Sequence, residues 1–332
     1  MIVPARSPKI IIFATISKTL THTPRMKRKN IFLVLLKITL TTTILLLIKE
    51  KMQLSEILLT LEKVSISGIA AASSILIIST LLTGCRWYYV VKSCGIDTTI
   101  RSAIFQIYKG CSISQIMPSN IGGDIYRILA IRKSVQQYSD ATALVMLDRI
   151  LGMISMLLCS IMMMPFFIDI LISTNMGKII IFLFMSAILL LLLSYCLNRF
   201  ITKKIPILHQ LMHFGTSLLR FKGISKIMFI TLSITVLYVF SASILAKDIG
   251  ITIDSKIFLL VIPLITILSA IPISFAGWGV REGLMVFFLG IFGVPSEQAL
   301  ILSILLGIVH LISAAPGAFM FFTSSNLSRH TT

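Results

Sequence analysis

Met117-Pro118-Ser119-Asn120-Ile121-Gly122-Gly123-Asp124-Ile125-Tyr126-Arg127 ends and follows a short apolar segment, 102–118, that carries Lys109. How this stretch is read decides the topology. Proline removes a backbone donor and clashes with the preceding turn, so a helix ends at Pro118. Seven further apolar segments stand out, at 31–48, 64–83, 141–168, 179–197, 227–246, 257–276 and 283–322, the last interrupted. If 102–118 crossed the membrane fully, the loop 198–226, with six Lys/Arg and no acid, would fall on the side opposite the basic N-terminus. Basic loops collect on the cytoplasmic side. The parity therefore favours a dip and return over 102–130. The same reasoning makes 257–293 a second dip, leaving six full spans and two re-entrant helical hairpins.

Composition leaves little room for any other class. Hydrophobic residues make up 56% of the 332-residue chain and charged residues 13%, and the mean hydropathy is +0.98. Soluble domains carry about twice that charge. Backbone groups in lipid must bond within their own segment, so the runs are helices and the chain is an all-α polytopic membrane protein. The net charge of +18 invites a nucleic-acid reading, but 13 of the basic residues sit in 1–30 and 198–226. That clustering reads as membrane topology and contact with anionic headgroups, with no nucleic-acid partner.

Setting Pro118 on Pro272, an offset of 154 residues, places Gly123 on Gly277 and Arg127 on Arg281. Both stretches then read P-x4-G-x3-R. Each half holds three spans and one hairpin, an odd number of crossings, so the second half is expected to be inverted. That is the plan of many transporters, with broken helices meeting near the midplane. The halves are 30–170 and 171–323, between a basic extension at 1–29 and a tail at 324–332. Met26-Lys27-Arg28-Lys29 abuts the first strong span, so translation starting at Met26 is expected.

The candidate binding residues follow from these breaks. Asn120 and the Gly122-Gly123 pair permit unusual dihedrals and close backbone approach. Freed amides at the start of the next helix, with Arg127, would suit a phosphate or a phospholipid headgroup. The alternative is a cytoplasmic loop in which Asp124 caps a helix. In the second break, Pro272, Ser274, Gly277, Gly279, Arg281 and Glu282 lie in a very apolar region, where charge faces a cavity or a partner; interfacial anchoring around Trp278 is the alternative. Arg281 and Glu282 would diverge by about 100° on a helix, so each is expected to pair elsewhere. Asp148-Arg149, inside the span 141–168, is a second dyad that those two could partner, or a purely structural pair. His310 reads as a hydrogen-bonded core residue, with proton relay as the alternative. The five cysteines show no metal-ligand spacing, and no cofactor or Walker-type loop is expected.

Taken in order, Met117–Asp124, then Leu147-Asp148-Arg149-Ile150-Leu151-Gly152, then Pro272-Ile273-Ser274 with Gly277-Trp278-Gly279-Val280-Arg281-Glu282-Gly283 resemble the flippase-like transmembrane region of lysylphosphatidylglycerol synthases. The resemblance covers roughly residues 30–322. It implies a lipid flippase that moves a phospholipid or polyprenyl-linked headgroup between leaflets of a prokaryotic cytoplasmic membrane, with a cytoplasmic N-terminus. In full-length synthases a separate C-terminal soluble domain transfers the amino acid. The chain stops about ten residues past its last span, so a lysyltransferase activity is not expected of it. The other implied role is membrane component, as enzyme or scaffold, of an aminoacyl- or glycosyl-transfer system with a separate synthase or glycosyltransferase.

Overall fold

The structure, a computed structural model, describes residues 54–116, 121–135, 137–175, 177–178, 182, 206–270 and 279–326. Among them there is no strand. The helices are α1 (Leu54–Glu62), α2 (Ile66–Ser93), α3 (Ile100–Ile116), α4 (Ile121–Ile131), α5 (Tyr138–Met163), α6 (Ile168–Ser173), α7 (Pro206–Arg220), α8 (Ile224–Asp248), α9 (Ser255–Ser269), α10 (Val280–Gly290) and α11 (Ser296–Asn326). Four helical stretches are long and apolar enough to cross a membrane: α2, Tyr138–Ser173, α8 and Ser296–Phe321. Within Tyr138–Ser173 a 3₁₀ turn at Met164–Phe167, opened by Pro165, joins α5 to α6. The apolar segments 31–48 and, apart from Phe182, 179–197, expected to supply two further spans, lie outside the described residues, as do Pro118, Asn120, Pro272, Ser274 and Gly277.

Local chemistry sets the helix ends. Ser65 is extended and its Oγ accepts from Gly68 N at the start of α2. Asp254 does the same for α9 through Lys256 N. After α2, Gly95 takes a φ of 74°, a left-handed turn that suits glycine. At 28 residues α2 is about 42 Å long, more than the hydrocarbon core requires. It runs ten residues past the expected end at 83, because the apolar run continues through Trp87-Tyr88-Tyr89-Val90-Val91 beyond a single charge, Arg86. That arginine, outside the expected span 64–83, is a residue of the helix and 7% exposed. Helices α4 and α10, at 11 residues each, are about 16 Å long, roughly half the hydrocarbon core. Each packs against the helix before it, α4 on α3 and α10 on α9.

The two halves repeat. Helix α2 begins at 66 and α8 at 224, α5 begins at 138 and α11 at 296, and α1 ends at 62 and α7 at 220, all 158 residues apart. The packing repeats too: α3 lies on α11 as α9 lies on α5, and α1 lies on α11 as α7 lies on α5. The equivalents α2 and α8 pack on each other, and their hydrogen bonds show the direction. Ser65 N and Oγ donate to the Asp248 carboxylate, and Ser241 Oγ donates to the Ala72 carbonyl. Seven residues forward on α2 is seven residues backward on α8, so the equivalent helices are antiparallel and the repeat is inverted.

The spacing of 158 corrects the expected register. An offset near 154 holds for α3 and α9, which start at 100 and 255. Four residues of sequence separate α3 from α4, and ten separate α9 from α10. Arg127 therefore sits seventh in α4 and Arg281 second in α10, and the shared P-x4-G-x3-R spacing does not make them structural equivalents.

Small residues let these helices approach closely, the usual device where lipid offers no hydrophobic drive for association. A Cβ on Gly123 would stand 2.4 Å from the Gly110 carbonyl oxygen, and one on Gly84 would stand 2.8 Å from Ile104 Cα. One on Gly317 would meet the Tyr108 carbonyl oxygen at 2.0 Å. Thus α3 is clasped on three sides, by α2, α4 and α11. Large apolar side chains such as Phe229, Phe240 and Phe319 remain exposed on the outside of the bundle.

Candidate functional site

Asp148 lies on α5 and is 1% exposed. An ionised carboxylate so deep in an apolar bundle is costly unless it is paired. Both of its oxygens are paired: Arg86 Nε of α2 donates to Oδ1 at 2.8 Å, and the Arg127 guanidinium of α4 donates to Oδ2 at 2.7 Å. Gly152, one turn along α5, faces the Arg86 guanidinium. Trp87 is buried beneath the network, with the Arg127 guanidinium 4.2 Å from its ring centroid, a cation–π contact in a water-poor setting. The indole N–H in turn donates to Gln106 Oε1. Beside this triad, Arg149 reaches back from α5 to α4 and pairs with Asp124 at 2.5 Å.

These groups line a cavity of about 340 Å³. Its first-half lining includes Thr83, Arg86, Ser114, Gly123, Asp124, Arg127, Asp148 and Arg149; its second-half lining includes Tyr238, Thr266, His310 and Ser313. Three guanidiniums face two carboxylates, so the lining carries one net positive charge with histidine neutral. Both carboxylates are already engaged. Arg127 Nε is buried with no hydrogen-bond partner, an unsatisfied cationic donor at the edge of the cavity. The charge belongs to one half alone. At 158 residues on, Arg86, Arg127, Asp148 and Arg149 have Ile244, Met285, Leu306 and Gly307 as their counterparts.

The second motif forms a separate centre. Glu282 is 1% exposed. Its Oε1 accepts from the Arg281 guanidinium at 2.9 Å and from Ser303 Oγ at 3.2 Å. Its other oxygen accepts from Gly279 N, and Arg281 Nε donates to Ser303 Oγ. Gly279, at φ 86° and ψ −51°, is a backbone only glycine adopts readily. The carboxylate thus caps the start of α10 from its third position.

Several expectations change here. Arg281 and Glu282 pair with one another despite their angular divergence, because Glu282 turns back over the helix start and the long arginine side chain reaches it. They do not partner the Asp148-Arg149 dyad; Arg86, Arg127 and Asp124 do. The structure brings Gly123, Asp124, Arg127, Asp148 and Arg149 to one cavity and places Gly279, Arg281 and Glu282 elsewhere. Gly122 and Gly123 are helical, outside the left-handed region, and buried; their smallness serves packing. Gly123 N donates to Ser114 Oγ, so that amide is not open to an anion. Arg86 was missed as a site residue. Its signal was a lone charge within an apolar run that continues for five residues on its far side.

Four membrane-length apolar helices, with antiparallel equivalent helices and a net-positive cavity between the halves, define an α-helical multi-pass membrane protein built from an inverted repeat. The family profile described as Lysylphosphatidylglycerol synthase TM region matches residues 34–317, and the chain belongs to that family, a membrane family of lipid-modifying synthases. No curated protein matches the chain.

Proposed function

We propose that this protein binds the anionic headgroup of a membrane lipid, a phospholipid or a polyprenyl-linked lipid, in the Arg86–Arg127–Arg149 cavity and passes it between leaflets. The observation that carries the reading is the excess of guanidinium over carboxylate in a cavity between inverted halves. A phosphodiester contributes one negative charge and strong acceptors, which match that excess and the unpartnered Arg127 Nε. Inverted halves around a central site suit alternating exposure to the two leaflets. In this reading α3–α4 and α9–α10 are the re-entrant hairpins, the basic N-terminal side is cytoplasmic, and the membrane is the cytoplasmic membrane of a prokaryote.

Reconstitution tests it. Proteoliposomes holding the whole chain should accelerate leaflet exchange of a fluorescent anionic phospholipid over protein-free vesicles. Arg127→Gln, checked for folding, should reduce the acceleration at least tenfold. Exchange no faster than in empty vesicles, or an unimpaired folded Arg127→Gln, would overturn the reading.

A further inference from the structure

The α3–α4 pair carries a second cavity, of about 440 Å³, that shares no lining residue with the central one. Arg101, Phe105 and Lys109 recur every four residues along its α3 wall, and Tyr126 and Ala130 of α4 line the other side. The lining holds two cations and no carboxylate. Its hydroxyls are disposed to donate as well. Thr99 Oγ1 accepts from Ser102 N, and Ser102 Oγ accepts from Gln106 Nε2 at 3.3 Å, so each keeps its own proton for a ligand. The indole N–H of Trp87 donates to Gln106 Oε1, which fixes that amide with its nitrogen toward Ser102. The rim is apolar. Ile125 and Leu129, next to Tyr126 and Ala130 in sequence, are 49% and 51% exposed. Phe321 of α11 lies edge-on to Tyr126, with the Lys109 ammonium 5.1 Å from its ring centroid.

We propose that this groove is an auxiliary binding site, separate from the central cavity, for a membrane lipid that carries two phosphodiester groups. Charge and spacing select the headgroup. Two phosphodiesters balance the two cations, where a single one leaves a positive charge unmatched. Arg101 and Lys109 are eight residues apart, about 12 Å of helix rise, so two linked phosphates match them better than one. Basic pockets between membrane helices take such doubly anionic headgroups. An ammonium-bearing headgroup would bring a cation to a lining without any carboxylate to receive it. The rim selects a lipid over a soluble diphosphate, because acyl chains gain apolar contact on Ile125, Leu129 and Phe321 once the head is seated. Gln106 joins this groove to the central network, since it holds Trp87 and the Arg127 guanidinium lies 4.2 Å from the Trp87 ring centroid. The site is thus placed to support that network from behind without entering the cavity.

The test is equilibrium binding of fluorescent cardiolipin and fluorescent phosphatidylglycerol, with two and one phosphodiesters, to the purified whole chain in neutral detergent, read by anisotropy. Cardiolipin should bind about tenfold more tightly, a factor worth about 1.4 kcal/mol. The double variant Arg101→Gln, Lys109→Gln should bring cardiolipin down to the affinity of phosphatidylglycerol. Ala130→Phe, which fills the groove and leaves the charges in place, should weaken cardiolipin binding as well. Arg127→Gln, in the central cavity, should leave it unchanged. Equal affinities for the two lipids in the native chain overturn the inference. So does cardiolipin binding undiminished in the double variant or, if that variant does not fold, in Ala130→Phe. A loss in Arg127→Gln as large as in the double variant would put the ligand in the central cavity and overturn it too. Failure of lipid exchange in vesicles refutes the transport reading alone, because binding here is read without transport.

Discussion

Replacing Asp148 by leucine would leave two guanidiniums, Arg86 and Arg127, buried at 8% and 9% side-chain exposure with their shared anion gone. Breaking a buried pair by removing one partner costs roughly 3–5 kcal/mol, because an uncompensated charge stays behind. That is a loss of roughly two to three and a half powers of ten in the folded-to-unfolded ratio. The inverted repeat supplies the matching control. The triple variant Arg86→Ile, Arg127→Met, Asp148→Leu installs the counterpart residues Ile244, Met285 and Leu306 of the second half. Replacing a whole buried ion network by apolar side chains of similar volume is often neutral or stabilising. The triple variant should therefore recover most of the stability lost in Asp148→Leu while losing lipid exchange, since two of the three cations are gone. Denaturant unfolding in detergent, read by helical circular dichroism, measures the first quantity, and the vesicle assay measures the second. A single variant as stable as the native chain, or a triple variant no more stable than the single one, would refute the claim that Asp148 is held ionised by two arginines. A triple variant with undiminished exchange would refute their role at the headgroup.

Two other outcomes are expected. Gly123→Ala places a Cβ 2.4 Å from the Gly110 carbonyl oxygen, so the α3–α4 hairpin must open; a loss of roughly 1–3 kcal/mol is expected by the same unfolding measurement, whereas Gly215→Ala, which meets nothing within 4 Å, should not destabilise the chain. The antiparallel pairing of α2 and α8 predicts that Ala72→Cys with Ser241→Cys, in a background without the native cysteines, cross-links on oxidation. The pair Ala72→Cys with Ser225→Cys should not, because those positions lie near one end of α8 and well inside α2; a gel-shift reversal of that order would remove the basis for inversion.

Much of this was legible before any coordinates. The apolar runs, the interruption near residue 120 and the near-repetition of the two halves are properties of composition and spacing, and helices in lipid follow from them because no other backbone arrangement satisfies itself there. Arg127, Asp148 and Arg149 were visible for the same reason, as charges in places that ordinarily tolerate none. What misled was distance along the chain. The shared spacing around Pro118 and Pro272 suggested that Arg127 and Arg281 were counterparts, but a longer connection before α10 moves Arg281 to a helix start. Adjacent Arg281 and Glu282 were expected to diverge, yet the carboxylate folds back over the cap.

The sequence by itself determined the class of the protein, the existence of an inverted repeat and the small set of intramembrane charges that need partners. Only the tertiary structure decided who those partners are. Arg86 is 62 residues from Asp148 and Arg127 is 21 away, and no pattern along the chain couples them. Helix packing does. The smallness of Gly84, Gly123 and Gly317 lets α2, α4 and α11 close on α3, and that closure brings the charged motif around Pro118 and the arginine inside α2 to one carboxylate. It is the same packing that leaves the three guanidiniums on the first-half side of the cavity, since helices of opposite halves meet there with different side chains at equivalent positions.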